Sequence, residues 1–167
     1  MSNLGSAPVP ALNESDHVRG PAGAPLLIEY GDLECVYCAT LHARLVGARL
    51  RLVFRHFPVR SAHPRAWAAA CASEAAGLQG RFWELHDALL ADQAHMEDPH
   101  LWRLAERLGL DLARFERDRR SAVVEQRVRR DFTSGVRAGV VTTPTVFVDG
   151  EAFTGERLAA LDLAALG

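Results

Sequence analysis

Glu29-Tyr30-Gly31-Asp32-Leu33-Glu34-Cys35-Val36-Tyr37-Cys38 is the stretch from which the rest of the chain is read. The apolar run Leu26-Leu27-Ile28 leads into it, and Leu41, Leu45 and Val46 follow at helical spacing. The two cysteines, spaced CxxC, therefore sit where a strand ends and a helix begins. The first turn of a helix offers unpaired N–H groups and the positive end of the helix dipole. A thiolate on Cys35 is stabilised there, and in such settings cysteine pKa values fall to roughly 3.5–7.5. The thiolate is the form that attacks disulfides. Cys38 lies one turn further on the same face, within reach of a mixed disulfide held on Cys35. The stretch thus proposes a two-cysteine exchange centre.

Working outward, the chain of 167 residues has length for one domain with a sizeable core. Nearly half of it is hydrophobic (49%) and about a quarter charged (24%), the composition of a globular protein. A net charge of -2 gives no reason to expect nucleic acid or an acidic membrane surface as partner. Every basic side chain other than histidine is Arg. Three cysteines do not build a disulfide scaffold in a chain of this length. No run of about 18 apolar residues appears, so no membrane insertion is expected. Met1 to Asn13 lacks a basic segment followed by a long apolar one. The expected compartment is therefore a reducing cytoplasm, or the periplasm if a leader has been removed. In a cytoplasm a CxxC pair is catalytic, redox-sensing or metal-binding rather than structural.

Residues 1–24 are rich in Pro, Gly, Ala and Ser and read as a loose lead-in with room for one short edge strand, residues 1–15 being its flexible part. A single domain is expected over 16–167. Leu26 to Tyr30 reads as a buried strand, and the helix from Val36 is expected to end near Gly47. Leu50 to Phe57 alternates as a second strand and stops at Pro58. A βαβ unit with parallel strands and a right-handed crossover is thus expected before residue 60. From about 61 to 139 the texture is helical. Its apolar stripes include Trp67, Ala70, Cys71, Ala75 and Leu78; Phe82, Leu85, Leu89 and Leu90; and Leu101, Leu104, Ala105 and Leu108. A short helix after Asp111 and a longer one from Val123 to Val136 complete the block. Thr142 to Phe153 then reads as strand, Asp149-Gly150 turn, strand, and a final helix is expected from Glu156 to Leu166.

The CVYC sequence at a strand–helix junction, TTPTVFVDG far downstream and the hairpin–helix ending resemble the thioredoxin fold. The long helical block between the halves resembles the DsbA-like thiol-disulfide oxidoreductases. Asp16-His17-Val18-Arg19-Gly20, Phe54-Arg55-His56-Phe57-Pro58, His63-Pro64, Gln79-Gly80-Arg81-Phe82-Trp83-Glu84-Leu85-His86 and Gly109-Leu110-Asp111 are similar to the branch also found fused to sodium/proton antiporters. The similarity spans residues 16–166. It implies an α/β, thioredoxin-like fold with a large helical insertion. It also implies an enzyme exchanging disulfides with protein thiol and disulfide substrates and with a further redox partner. Cys35 matches the exposed nucleophile and Cys38 the buried resolving cysteine. Pro144 matches a cis-proline facing the disulfide, which turns the Thr143 backbone toward Cys35 to pair with an extended substrate. Glu29 matches a buried acid beneath the site that takes the Cys38 proton. Val36 departs from the proline common at that position, and no histidine lies within the motif, which argues against an extreme oxidant.

No cofactor and no metal are expected beyond the redox-active Cys35–Cys38 pair itself. The alternative is a non-catalytic module that binds a partner, or a metal through the cysteines with His42 or His56; zinc sites of this kind usually show two such pairs. Haem attachment needs His directly after the second cysteine, and Ala39 stands there. A glutathione-dependent transferase on the same fold is disfavoured by the intact CxxC. Cys71 reads as a core residue, Trp67 and Trp83 as core with one of them a candidate to line a hydrophobic substrate groove, and His63 and His86 as structural or half-exposed. The Arg-rich stretch from Arg114 to Arg130 reads as a solvated helix face.

Overall fold

Strand β2 (Leu26–Gly31) runs through the middle of a five-stranded sheet completed by β1 (His17–Arg19), β3 (Arg51–His56), β4 (Thr145–Val148) and β5 (Glu151–Phe153). The structure is a computed structural model and describes residues 6–166. The first five residues of the expected lead-in, and Gly167, lie outside the described residues. The strand order is β1-β3-β2-β4-β5. β2 pairs with β3 in parallel, Leu27 opposite Leu52 and Glu29 opposite Phe54. On its other side it pairs antiparallel with β4, Ile28 opposite Phe147 and Glu29 opposite Val146. Asp149 and Gly150, both at positive φ (49° and 81°), make the tight turn into β5 that their sequence promised.

From Leu27 to Gly31 every residue of β2 is buried, because both faces of the sheet are covered. Leu27, Glu29 and Gly31 share one face with Phe54 and Val146. That face carries α1 (Val36–Leu45) and α3 (Phe82–Ala91). Ile28 and Tyr30 share the opposite face with Val53 and Phe147, beneath α6 (Ala122–Arg137). Helix α6 approaches closely there: a Cβ at Gly135 would lie 2.7 Å from the Phe57 ring and 2.8 Å from the Tyr30 ring. Between β3 and β4 the chain forms α2 (Ala66–Gly77), α3, α4 (Asp98–Arg107), α5 (Leu112–Asp118) and α6. This is the thioredoxin-like α/β fold with its helical insertion.

Two local departures have clear causes. The final helix does not run from Glu156 to Leu166: α7 covers Gly155–Ala159, and a 3-10 turn at Ala164–Leu166 follows. Leu163 turns inward between them, and the Asp162 carboxylate accepts the N–H groups of Ala164 and Ala165 to restart the turn. The second concerns the lead-in. Residues 6–13 hold no regular structure but lie against the domain. Ala7 N donates to Arg137 O at 2.8 Å, and the Arg55 guanidinium donates to Pro10 O and Ala11 O. Arg55, 2% exposed, is also held by the Asp16 carboxylate at 2.9 and 2.8 Å. Among the described residues no helix is long and apolar enough to cross a membrane.

Candidate active site

The site grows from the end of β2. Gly31 ends the strand, Asp32 to Glu34 form a turn, and Cys35 is the N-cap of α1 in extended conformation (φ -78°, ψ 122°). Helix geometry then sets Cys38 one turn behind Cys35, facing the core. Both are free thiols. The resemblance implies an exposed Cys35, and the structure corrects this: Cys35 is only 4% exposed and Cys38 is fully buried. The cause is local. The Cys35 Sγ lies against the Thr143 carbonyl at 3.4 Å, while Val36 and Tyr37 take the solvent-facing positions. The Thr143–Pro144 peptide bond is cis, in the loop leading into β4. Sequence positions 35, 38, 143 and 144 are thus neighbours in space.

The two thiols differ sharply. The Cys38 thiol donates a hydrogen bond to the Cys35 sulfur and is the main reason the Cys35 pKa falls to about 5. Burial opposes the fall. The Thr143 side chain and the N–H groups of Cys38 and Tyr37 add to it. Cys38 is pushed well above the ordinary thiol range, first by burial, then by its bond to Cys35 and the nearby Glu29 and Cys35 charges. At neutral pH the pair is one thiolate and one thiol.

Glu29 lies on the same sheet face, 2% exposed, with Oε1 lacking any hydrogen-bond partner among the described residues. Burial raises its pKa to about 8, against a lowering by the Arg19 charge. Gly31 makes room for it: a Cβ at that position would stand 2.8 Å from the Glu29 Oε1 and 2.4 Å from Phe54. The acid is therefore neutral for most molecules at pH 7 and close enough to Cys38 to raise its pKa.

Residues that the motif alone did not single out brace the turn. The Asp32 carboxylate, 1% exposed, accepts from Glu34 N (2.8 Å), Val59 N (2.7 Å) and His63 Nδ1 (2.8 Å). Its own N–H donates to Cys38 Sγ at 3.4 Å. Gln93, in the irregular segment after α3, donates to Leu33 O and Cys35 O, each at 2.9 Å. Glu34 receives Arg65 N at 2.7 Å and Arg65 Nε at 2.8 Å. The helical insertion thus grips the CxxC turn from three places. Asp32 and Glu34 stand inside the motif and signal themselves as turn carboxylates; nothing in the sequence around Gln93 marks it.

A metal held by the cysteines with His42 or His56 finds no such assembly among the described residues. His56 Nε2 pairs with Glu74 Oε1 at 3.0 Å. His42 groups instead with His86 and Asp87, with ligand atoms within 4.8 Å of one another. There Asp87 is held by Arg19 NH1 at 2.9 and 2.8 Å, a cation where a metal would stand. Cys71 is buried among Ala70, Val124 and Val128, and burial lifts its pKa to about 12, as befits a core thiol.

A family model for the DSBA-like thioredoxin domain matches residues 27–164. Among curated proteins the chain is 45% identical over 151 residues to a Na(+)/H(+) antiporter NhaA 1 of Salinispora arenicola, covering 85% of this chain and 23% of that protein. A Na(+)/H(+) antiporter NhaA of Herminiimonas arsenicoxydans is 45% identical over 154 residues, covering 87% of this chain and 24% of that protein. The chain thus spans about a quarter of the curated relatives it matches. Among solved structures, BdbD from Bacillus subtilis superposes with a TM-score of 0.77 at 17% identity, covering 96% of this chain and 95% of that one. The thiol-disulfide exchange protein alpha-DsbA2 from Wolbachia pipientis gives 0.76 at 18% identity, covering 92% and 84%. A thioredoxin-like oxidoreductase from Silicibacter pomeroyi gives 0.71 at 26%, covering 84% and 83%.

Proposed function

Because the chain belongs to the DSBA-like thioredoxin domain family, a family of thiol-disulfide oxidoreductases, we propose that it exchanges disulfides with protein substrates through Cys35 and Cys38. The observation that carries this reading is the asymmetry of the pair. One sulfur is tuned to about 5 and meets the Thr143 carbonyl, and the other is a buried thiol above an unpartnered acid. In the reductive direction the Cys35 thiolate attacks a substrate disulfide, R–S–S–R′. A Cys35–S–S–R bond forms and R′S⁻ leaves. Glu29, in its ionised fraction, takes the Cys38 proton. The Cys38 thiolate then attacks the Cys35 sulfur, releasing RS⁻. The substrate gains two electrons and the protein holds a Cys35–Cys38 disulfide. The reverse sequence oxidises a dithiol. An extended substrate segment is positioned along the Thr142–Pro144 loop, of which Thr142 is exposed, beside a depression lined by Tyr37, Thr40, Arg44, Glu156 and Leu158.

The direction of net flow follows from the potential. A Cys35 pKa near 5 stabilises the reduced form more than in thioredoxin (about 7) and less than in the strong oxidant DsbA (about 3.5). The expected potential therefore lies between about -270 and -120 mV. Equilibration in glutathione buffers with trapping of free thiols measures it. Failure of any Cys35–Cys38 disulfide to form would refute the exchange reading.

A further inference from the structure

On the other side of the Thr142–Thr143 loop lies a second depression, floored by Phe57, Val59 and Phe132 and edged by Trp67 and Val141. Two guanidinium groups close over the Trp67 ring, Arg60 at 5.3 Å and Arg129 at 5.5 Å from its centroid. Both arginines are exposed, and neither has a carboxylate partner among the described residues. This separates them from the arginines that Asp16, Asp87, Glu34, Glu116 and Asp131 hold. What sets the two apart from the chain's other arginines is that both converge on one aromatic ring. Val141 beside them is 87% exposed, a bare apolar residue at the rim.

The depression adjoins the exchange centre by two routes. The Val59 N–H is bonded to the Asp32 carboxylate at 2.7 Å, and Asp32 O accepts from Cys35 N at 3.1 Å. Val141 precedes Thr143 by two residues, a span of at most about 7 Å. A segment joined to Cys35 and lying along Thr143 therefore reaches Trp67 within a few residues of its own cysteine.

We propose that this Arg60–Trp67–Arg129 depression docks an acidic segment, carrying an apolar residue, that flanks the cysteine of the disulfide-bearing partner. The proposal rests on the exchange reading above. Carboxylates of the partner pair with the two guanidinium groups, and the apolar residue covers Phe57, Phe132 and Val141. Because both cations face solvent, the effect falls on the rate of association and is screened by salt.

The test uses two disulfide-linked homodimeric peptides, alike except for acidic or basic residues two to four positions from the cysteine. Attack on either sulfur leaves one peptide on Cys35 and frees the other as a thiol, which is counted over time with the reduced protein in excess. Wild type should release the acidic peptide about tenfold faster than the basic one at low salt, with the ratio falling toward one at about 0.5 M salt. The doubly substituted Arg60→Ala, Arg129→Ala protein should show a ratio near one at low salt as well. A wild-type ratio near one, or a preference that survives the double substitution, overturns the proposal while leaving exchange itself intact. If neither peptide nor the small neutral hydroxyethyl disulfide reacts, the exchange reading fails instead. Binding to anionic phospholipid vesicles that disappears in the double variant, with the peptide ratio unchanged, would assign the two arginines to a membrane surface and overturn the proposal.

Discussion

Replacing Glu29 with Gln should make the reduced protein more stable, and increasingly so as pH rises. The carboxyl is 2% exposed, has no partner for Oε1, and is displaced by burial from 4.5 to about 8. Below 4.5 it is protonated in both the folded and unfolded chain and contributes no pH dependence. Between 4.5 and 8 the unfolded chain gives up the proton while the folded chain keeps it, so stability is lost as pH rises through this window. Above 8 both are ionised and the loss is complete. At about 1.36 kcal/mol for each tenfold change in proton affinity, the displacement amounts to about 5 kcal/mol. That figure is a ceiling, because water entering beside the carboxylate would relieve part of the cost. Gln has nearly the same shape and cannot ionise, so its stability should lack this component.

Urea unfolding of both proteins, kept reduced and followed by far-ultraviolet ellipticity from pH 5 to 9, measures the difference directly. Subtracting the two curves removes every titration they share. The gain for Glu29→Gln should be small at pH 5 and reach about 3–5 kcal/mol near pH 9. A difference that does not change with pH would refute the reasoning, since it would mean that the Glu29 carboxyl titrates alike in the folded and unfolded chains. The same substitution should slow release of substrate from Cys35, because it removes the acceptor for the Cys38 proton.

Replacing Cys38 with Ala removes the main support of the Cys35 thiolate, so the pH at which thiolate ultraviolet absorbance appears should rise clearly above about 5; the variant should also accumulate mixed disulfides visible by mass spectrometry. His63 has a raised pKa: partial burial opposes its charge, and the bond to Asp32 outweighs it. Its contribution is therefore present below the ordinary histidine value and lost as pH rises through the folded one, so His63→Ala should cost stability at pH 5.5 and little at pH 9 in the same unfolding assay. Gln93→Ala leaves the Leu33 and Cys35 carbonyls without their shared donor; a loss of about 1–2 kcal/mol in unfolding and a slower exchange rate are expected, and unchanged exchange would show that the turn holds itself.

Much of the fold was legible because its signals are local. The apolar run before Cys35, the stripes of the helical block and the Asp149-Gly150 turn each constrain a few neighbouring residues, and each element formed there. The end of the chain departs from its pattern for the same reason. Glu156 to Leu166 has helical spacing throughout, yet the Asp162 carboxylate competes for the backbone N–H groups and Leu163 is drawn inward. Arg55 was equally silent. Its sequence looks like a strand arginine facing water, and only the fold brings Asp16 and the carbonyls of Pro10 and Ala11 around it.

The site divides along the same line. Cys35 and Cys38 stand at a strand–helix junction that the sequence shows directly, whereas the place of Glu29 beneath them came from the resemblance and its burial from the fold. Thr143 stands 108 residues away, and its approach to Cys35 came from the resemblance rather than from any local signal. The bracing residues divide too. Asp32 is legible as a turn former, but its reach to Val59 and His63 depends on where β3 ends. Gln93 depends on the packing of α3 against α1, which no periodicity encodes. This division has a chemical consequence. A thiolate at a helix N-cap requires only local geometry, whereas holding Cys35 nearly buried yet against the Thr143 carbonyl requires the insertion to fix the turn. On the exchange reading proposed above, the insertion would therefore set how much of the Cys35 sulfur a partner meets. The side chains it contributes around the site, His63, Trp67 and Arg129 among them, are then where selectivity is expected to reside.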